Sequence, residues 1–146
     1  MGIENLEKDT GFLLLQISNL WKNYYGNVLK KHHGLSHIQY TVLASIYRFS
    51  LRNPKITQVM LAKQINIDPM TLSYVFKGLE TNGYICRTPH PSDVRAKAIG
   101  LTQAGKDLLG VMADTIAEAD LKFFKSLGKS VERFNKDLIK LLQTNT

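Results

Sequence analysis

The sequence predicts a mainly α fold with one small β-hairpin, an α+β chain of 146 residues in a single domain spanning 1–146. Three observations predict it. Asn66 followed by Asp68-Pro69 ends one short helix and starts another within a few residues. Two short strand candidates flank a segment rich in Pro, Ser and Asp at residues 89–94. Long apolar stripes at helical spacing occupy both ends of the chain.

In the first helix Leu13, Ile17, Leu20, Tyr24 and Val28 form one stripe, and Leu14, Trp21 and Tyr25 widen it. A helix apolar on two sides needs two neighbours. Ser36 and Gln39 then make a capping box, with Leu35 placed to staple onto Tyr40, and start a helix over residues 37–50 that Arg52-Asn53-Pro54 ends. Thr57 can N-cap a short helix, Gln58–Ile65, whose Leu61, Ala62 and Ile65 face inward. Asn66 tolerates the left-handed conformation that stops it, while Asp68 caps and Pro69 opens the next helix. That helix carries Leu72, Val75, Phe76 and Leu79 on its apolar stripe, Thr71, Ser73, Tyr74 and Lys77 opposite, and ends at Asn82-Gly83.

Residues 84–88 form the first strand candidate, and Lys97–Leu101 the second, with Ile99 and Leu101 alternating. Towards the carboxyl end Leu108, Met112, Ile116, Ala119, Phe123 and Leu127 recur every three or four residues, and after Gly128 the run Val131, Phe134, Leu138, Leu141 continues. Helices this long have little to pack on inside so small a module. The reading is of a winged helix-turn-helix over 36–102 flanked by dimerisation helices at 1–34 and 103–146; an intramolecular bundle in a monomer is the alternative.

Small hydroxyls near the start of the second helix of a helix-turn-helix, with a cation one turn on, suit entry into a DNA major groove. An ordinary solvated face would use the same residue types. In the hairpin, Asp93 stands two residues before Arg95 and can hold its guanidinium extended, which suits a narrow, electronegative minor groove; a surface ion pair is the plain alternative.

The run Leu61-Ala62-Lys63, then Leu79-Glu80-x-x-Gly83-Tyr84-Ile85-x-Arg87, then Asp93-x-Arg95-Ala96-Lys97, then Leu101-Thr102-x-x-Gly105 resembles the MarR family of bacterial winged-helix regulators. The motif-rich part covers the central half of the chain, and the flanking helices match the family layout. The resemblance implies a homodimer that sets one recognition helix per subunit in the major groove, and one wing in the minor groove, of a palindromic operator in double-stranded DNA. Carried over by position, the recognition residues are Thr71, Ser73, Tyr74 and Lys77, and the wing residues Arg95, oriented by Asp93, and Lys97. Many members have a basic residue in place of Tyr74, Arg in place of Gly78 and Asp in place of His90, so the operator cannot be carried over. Repression is the commoner mode of the family.

The resemblance also implies a cleft between dimerisation helices and reading head that takes a small aromatic effector, with Phe12, Trp21, Tyr24, Tyr25, Tyr40 and Tyr47 as candidate liners. Aromatics at this spacing equally serve as core. A few members bind zinc, but Gly34 and the helix start at Ser36 separate His33 from His37, and His32, His33 and His37 read as solvated histidines at a helix junction. No metal and no cofactor is expected. Cys86 is the single cysteine, so no intramolecular disulfide can form, and a packed structural thiol is expected.

Net charge is +7, and its distribution is informative. Residues 1–55 hold seven Lys/Arg against three acids, 56–106 six against three, and 107–146 six against six. A basic amino-terminal two-thirds fits a polyanion partner, although RNA or lipid would satisfy charge alone. There is no apolar run of eighteen residues and no charged-then-apolar leader, so a cytoplasmic protein is expected and a membrane is not an expected partner. No Gly-rich phosphate loop, nucleophile elbow, paired-carboxylate constellation or metalloprotease helix is present, and no catalytic residues are expected. The rival class is an interaction module or a non-specific nucleic-acid binder.

Overall fold

The structure, a computed structural model, describes residues 3–53, 55–89, 92 and 96–146. A short 3-10 segment, Ile3–Lys8, precedes α1 (Thr10–His33), α2 (His37–Ser50), α3 (Gln58–Ile65), α4 (Pro69–Thr81), β1 (Ile85–Pro89), β2 (Lys97–Leu101), α5 (Gln103–Phe123) and α6 (Val131–Asn145). A second 3-10 segment, Lys125–Ser130, joins α5 to α6 and turns at Gly128, whose φ of 55° suits glycine.

Local chemistry accounts for the boundaries. Asp9 accepts from the Gly11 N–H and opens α1, which Gly34 closes in the left-handed region. The capping box at α2 is formed in both directions, Gln39 N–H to Ser36 Oγ and Ser36 N–H to Gln39 Oε1. Thr57 caps α3, and Asn66, with φ 51°, ends it. At α4, Asp68 accepts from the Thr71 N–H, and Pro69 stands at the first position. Its far end is a Schellman arrangement: the Tyr84 N–H bonds Leu79 O and the Gly83 N–H bonds Glu80 O. That use of Tyr84 delays the first strand by one residue against the sequence expectation, to Ile85.

The antiparallel hairpin pairs Ile85 with Leu101 and Pro89 with Lys97. Ile56 and Thr57 add a short third edge, the Ile99 N–H bonding Ile56 O and Thr57 bridging Ala98. The core gathers Leu29 of α1, Val42, Leu43 and Ile46 of α2, Leu61, Leu72, Phe76 and Leu79 of the helix-turn-helix, Ile85 and Ile99 of the hairpin, and Met112 and Ile116 of α5. These inward sets follow the apolar stripes, and burial of each large side chain contributes about 1.5–3 kcal/mol. By contrast the 3-10 segment at the amino end and α6 bury no residue in this chain, and Leu13, Leu14, Leu20, Ile139, Leu141 and Leu142 stand exposed. Among the described residues no helix is long and apolar enough to cross a membrane.

Candidate functional site

Helix α4 has its apolar stripe buried and its other face outward. Ser73, Tyr74 and Lys77 are exposed and Thr71 is half-buried; Tyr74 is 82% exposed and Met70, beside the cap, 83%. Asp68, fully exposed, has its carboxyl held below the usual range by the Thr71 side chain and backbone, so it remains an anionic cap at neutral pH. The geometry brings the four sequence-predicted recognition residues onto one projecting helix.

A polar bracket supports this face. Arg87 of β1 lies with its guanidinium 5.5 Å from the centroid of the Phe76 ring and its Nε 3.0 Å from Glu80 Oε2, an ion pair without a well-aligned hydrogen bond. Its Nη1 donates to Gln58 Oε1 at 3.1 Å, and Gln58 Nε2 donates to Ser73 Oγ at 2.9 Å. One guanidinium therefore ties α3, α4 and β1 together. Gln58 carries no local signal in the sequence, since Ser73 and Arg87 stand 15 and 29 positions away, and Glu80 meets Arg87 only across the turn from α4 into β1.

The wing expectation meets the structure only in part. Asp93 and Arg95, and the turn residues His90, Pro91 and Val94, lie outside the described residues. Lys97 is exposed at the start of β2, paired with Pro89. Cys86 corrects the expectation of a packed thiol: it is exposed, because strand alternation turns Ile85 into the core and Cys86 outward, with Sγ 3.7 Å from Gly100 O.

On α1 and α5, Trp21 stacks on Tyr25 at 4.9 Å and meets Phe123 and Phe124 at 5.2 and 5.7 Å; Tyr24 meets Phe123 at 5.5 Å. Tyr40 neighbours Tyr25 and Asp120. Phe12, near the start of α1, and Tyr47, near the end of α2, are each about two-fifths exposed and form no described ring contact with the cluster. A groove of about 450 Å³ between α1 and α5 is lined by Tyr24, Asn27, Lys31, His32, Thr115 and Lys122, among others. His33 is hydrogen-bonded to Thr115 at 2.7 Å, and His37 lies edge-on to Tyr25, so these two histidines are engaged separately.

Burial pushes the Tyr40 phenol up, with the Asp120 carboxylate and Tyr25 adding to it, and burial also raises Asp120. A raised carboxyl contributes stability below its unfolded value and loses it as pH rises through the folded one, so ionised Asp120 costs stability at neutral pH. Asp120→Asn is therefore expected to raise the denaturation midpoint at pH 7 and to let Tyr40 ionise at lower pH. Phenolate absorbance during an alkaline titration checks the second effect, and an unmoved curve would separate Asp120 from Tyr40.

A short helix, a turn, a projecting second helix and a β-hairpin on its flank define a winged helix-turn-helix protein. Residues 35–97 match the sequence pattern of the MarR family. The chain is 30% identical to YdcH, an uncharacterized helix-turn-helix-type transcriptional regulator of Bacillus subtilis, over 91% of this chain and 89% of that one. It is 32% identical to the transcriptional regulator SarZ of Staphylococcus aureus, over 98% and 91%. The chain belongs to the MarR family of transcriptional regulators. Its fold superimposes on the repressor CouR in complex with a 23-mer DNA duplex with a TM-score of 0.77, at 23% identity and covering 99% of this chain and 96% of that one. CouR of Rhodococcus jostii bound to p-coumaroyl-CoA gives 0.75 at 25% identity, over 97% and 96%.

Proposed function

We propose that the protein is a homodimeric, sequence-specific repressor that reads a palindromic operator in double-stranded DNA and is released by a small aromatic effector. The observation that carries this reading is the outward face of α4, where Thr71, Ser73, Tyr74 and Lys77 project from a helix fixed by its Asp68 cap and by the Arg87 bracket. Phosphate contacts position such a helix, and side chains reaching base edges specify sequence.

The apolar side chains left exposed on α1 and α6 support self-association, since monomers rarely leave large contiguous apolar surface to water. A second copy is the occupant assigned, because two half-sites call for a two-fold protein. The aromatic cluster of Trp21, Tyr24 and Tyr25 beside Phe123, with the adjoining α1–α5 groove, is where a flat effector would be held. The relative CouR, solved both with DNA and with p-coumaroyl-CoA, supports a two-ligand scheme of this kind.

In vitro selection from a random DNA pool tests the reading. Recovery of a palindrome with half-sites about one helical turn apart, bound about 10³-fold or more tighter than scrambled DNA and with strong salt dependence, is expected. No enrichment would leave a protein-interaction module, docking through exposed Tyr74 and Met70, as the better account. Arg95→Ala should lower operator affinity about tenfold, the equivalent of about 1.5 kcal/mol for a charged hydrogen bond, while sedimentation still shows a dimer. Unchanged affinity at physiological salt would remove the wing from recognition.

A further inference from the structure

From the contacts between α3, α4 and β1 we infer that Gln58 determines specificity: it biases Ser73 towards donating a hydrogen bond to DNA. The inference rests on the DNA-reading function proposed above. Arg87 carries donors only, so the 3.1 Å contact from its Nη1 must meet the amide oxygen of Gln58. That sets the amide the other way round at its far side, with Nε2 donating to Ser73 Oγ at 2.9 Å. Arg87 is itself held by the Phe76 ring and by Glu80, so the amide cannot turn over without losing a charged donor.

A serine hydroxyl has one proton and two lone pairs. One lone pair of Ser73 is occupied by Gln58. Among the described residues its proton is given to no backbone carbonyl, unlike those of Thr81 and Thr115, which donate one turn back. The proton is left for whatever approaches the exposed face of α4. In a major groove the partners that accept it are purine N7, guanine O6 and thymine O4, whereas an amino group of adenine or cytosine finds only the one lone pair that Gln58 leaves. Serine, which by itself reads either kind of edge, becomes selective through a side chain that need not touch the DNA.

The test uses the full-length protein and the DNA site recovered by selection, with every single-base variant of that site, and measures binding of wild type, Ser73→Ala, Gln58→Leu and the double variant. Ser73→Ala should cost about fivefold, the worth of one hydrogen bond, at one base position in the wild-type background and less than about twofold in the Gln58→Leu background. An equal cost in both backgrounds overturns the inference while leaving DNA reading intact. Gln58→Glu supplies a second arm should Gln58→Leu fail to melt cooperatively. The introduced carboxylate can only accept, so it takes the Ser73 proton and turns the hydroxyl lone pairs outward, and preference at that base should move to an edge bearing an amino group. An unchanged preference overturns the inference. Failure of the wild-type protein to prefer any sequence overturns the DNA-reading function and this inference together, and is distinguished by arising before any variant is compared.

Discussion

Gly105→Ala is expected to destabilise the fold by about 3 kcal/mol, at the upper end of overpacking costs, although alanine is the better helix former by about 1 kcal/mol. The reason is a backbone approach. A Cβ at residue 105 would stand 2.0 Å from Tyr84 O and 3.0 Å from Tyr84 C, main-chain atoms that cannot swing aside as a side chain can. Tyr84 is pinned on both sides, its N–H closing α4 onto Leu79 and its carbonyl accepting from the Thr102 N–H. Thr102 in turn accepts from the Gly105 N–H and donates to Gly83 O, so the first turn of α5 is latched to the end of α4. Urea denaturation at fixed protein concentration measures the loss, fixed because dimerisation would contribute to the midpoint. A cost below about 1 kcal/mol would mean that the two segments separate readily, and the latch would carry little.

Phe76→Ala should be costlier, about 4 kcal/mol. Its ring is fully buried among Leu72, Leu79 and the hairpin core, and it also seats the Arg87 guanidinium. Truncation thus opens a cavity and removes the floor beneath the bracket that holds Gln58. Against a typical domain stability of about 5–15 kcal/mol, such a loss is a quarter or more of the whole. Phe76→Leu conserves much of the volume and should cost less than about 1.5 kcal/mol, keeping the fold while removing the aromatic face under Arg87. Equal midpoints for the two variants would show that the pocket collapses around the deletion.

Element starts and stops were legible because their signals are local. Ser36 with Gln39, Thr57, Asp68-Pro69 and Asn82-Gly83 each act within about four residues, and the structure uses each at a helix boundary. The stripe Met112, Ile116 and Ala119 was equally readable, since period alone places it inward. The third sheet edge at Ile56 and Thr57 gave no pattern of its own, two residues being too few for alternation. The 3-10 segment Ile3–Lys8 also went unread; its apolar residues face away from this chain's core. Of the candidate pocket aromatics, spacing grouped Trp21, Tyr24 and Tyr25 on one helix, but Phe12 and Tyr47 sit too far along their helices to join the rings, a matter of axial position that composition does not reveal. The Ser73–Gln58–Arg87–Glu80 bracket needed three elements already folded.

The latch between Tyr84 and Gly105 makes α5 a lever. Its 21 residues extend about 30 Å at 1.5 Å per residue, from the hairpin to the Trp21 and Phe123 rings. Because the near end is latched to the end of α4, displacement of the far end turns the helix-turn-helix with it. Over that arm a movement of about 3 Å at the rings corresponds to a tilt of about 6° at the hairpin end. The glycine that permits the close approach thereby couples a small movement at the rings to the orientation of α4.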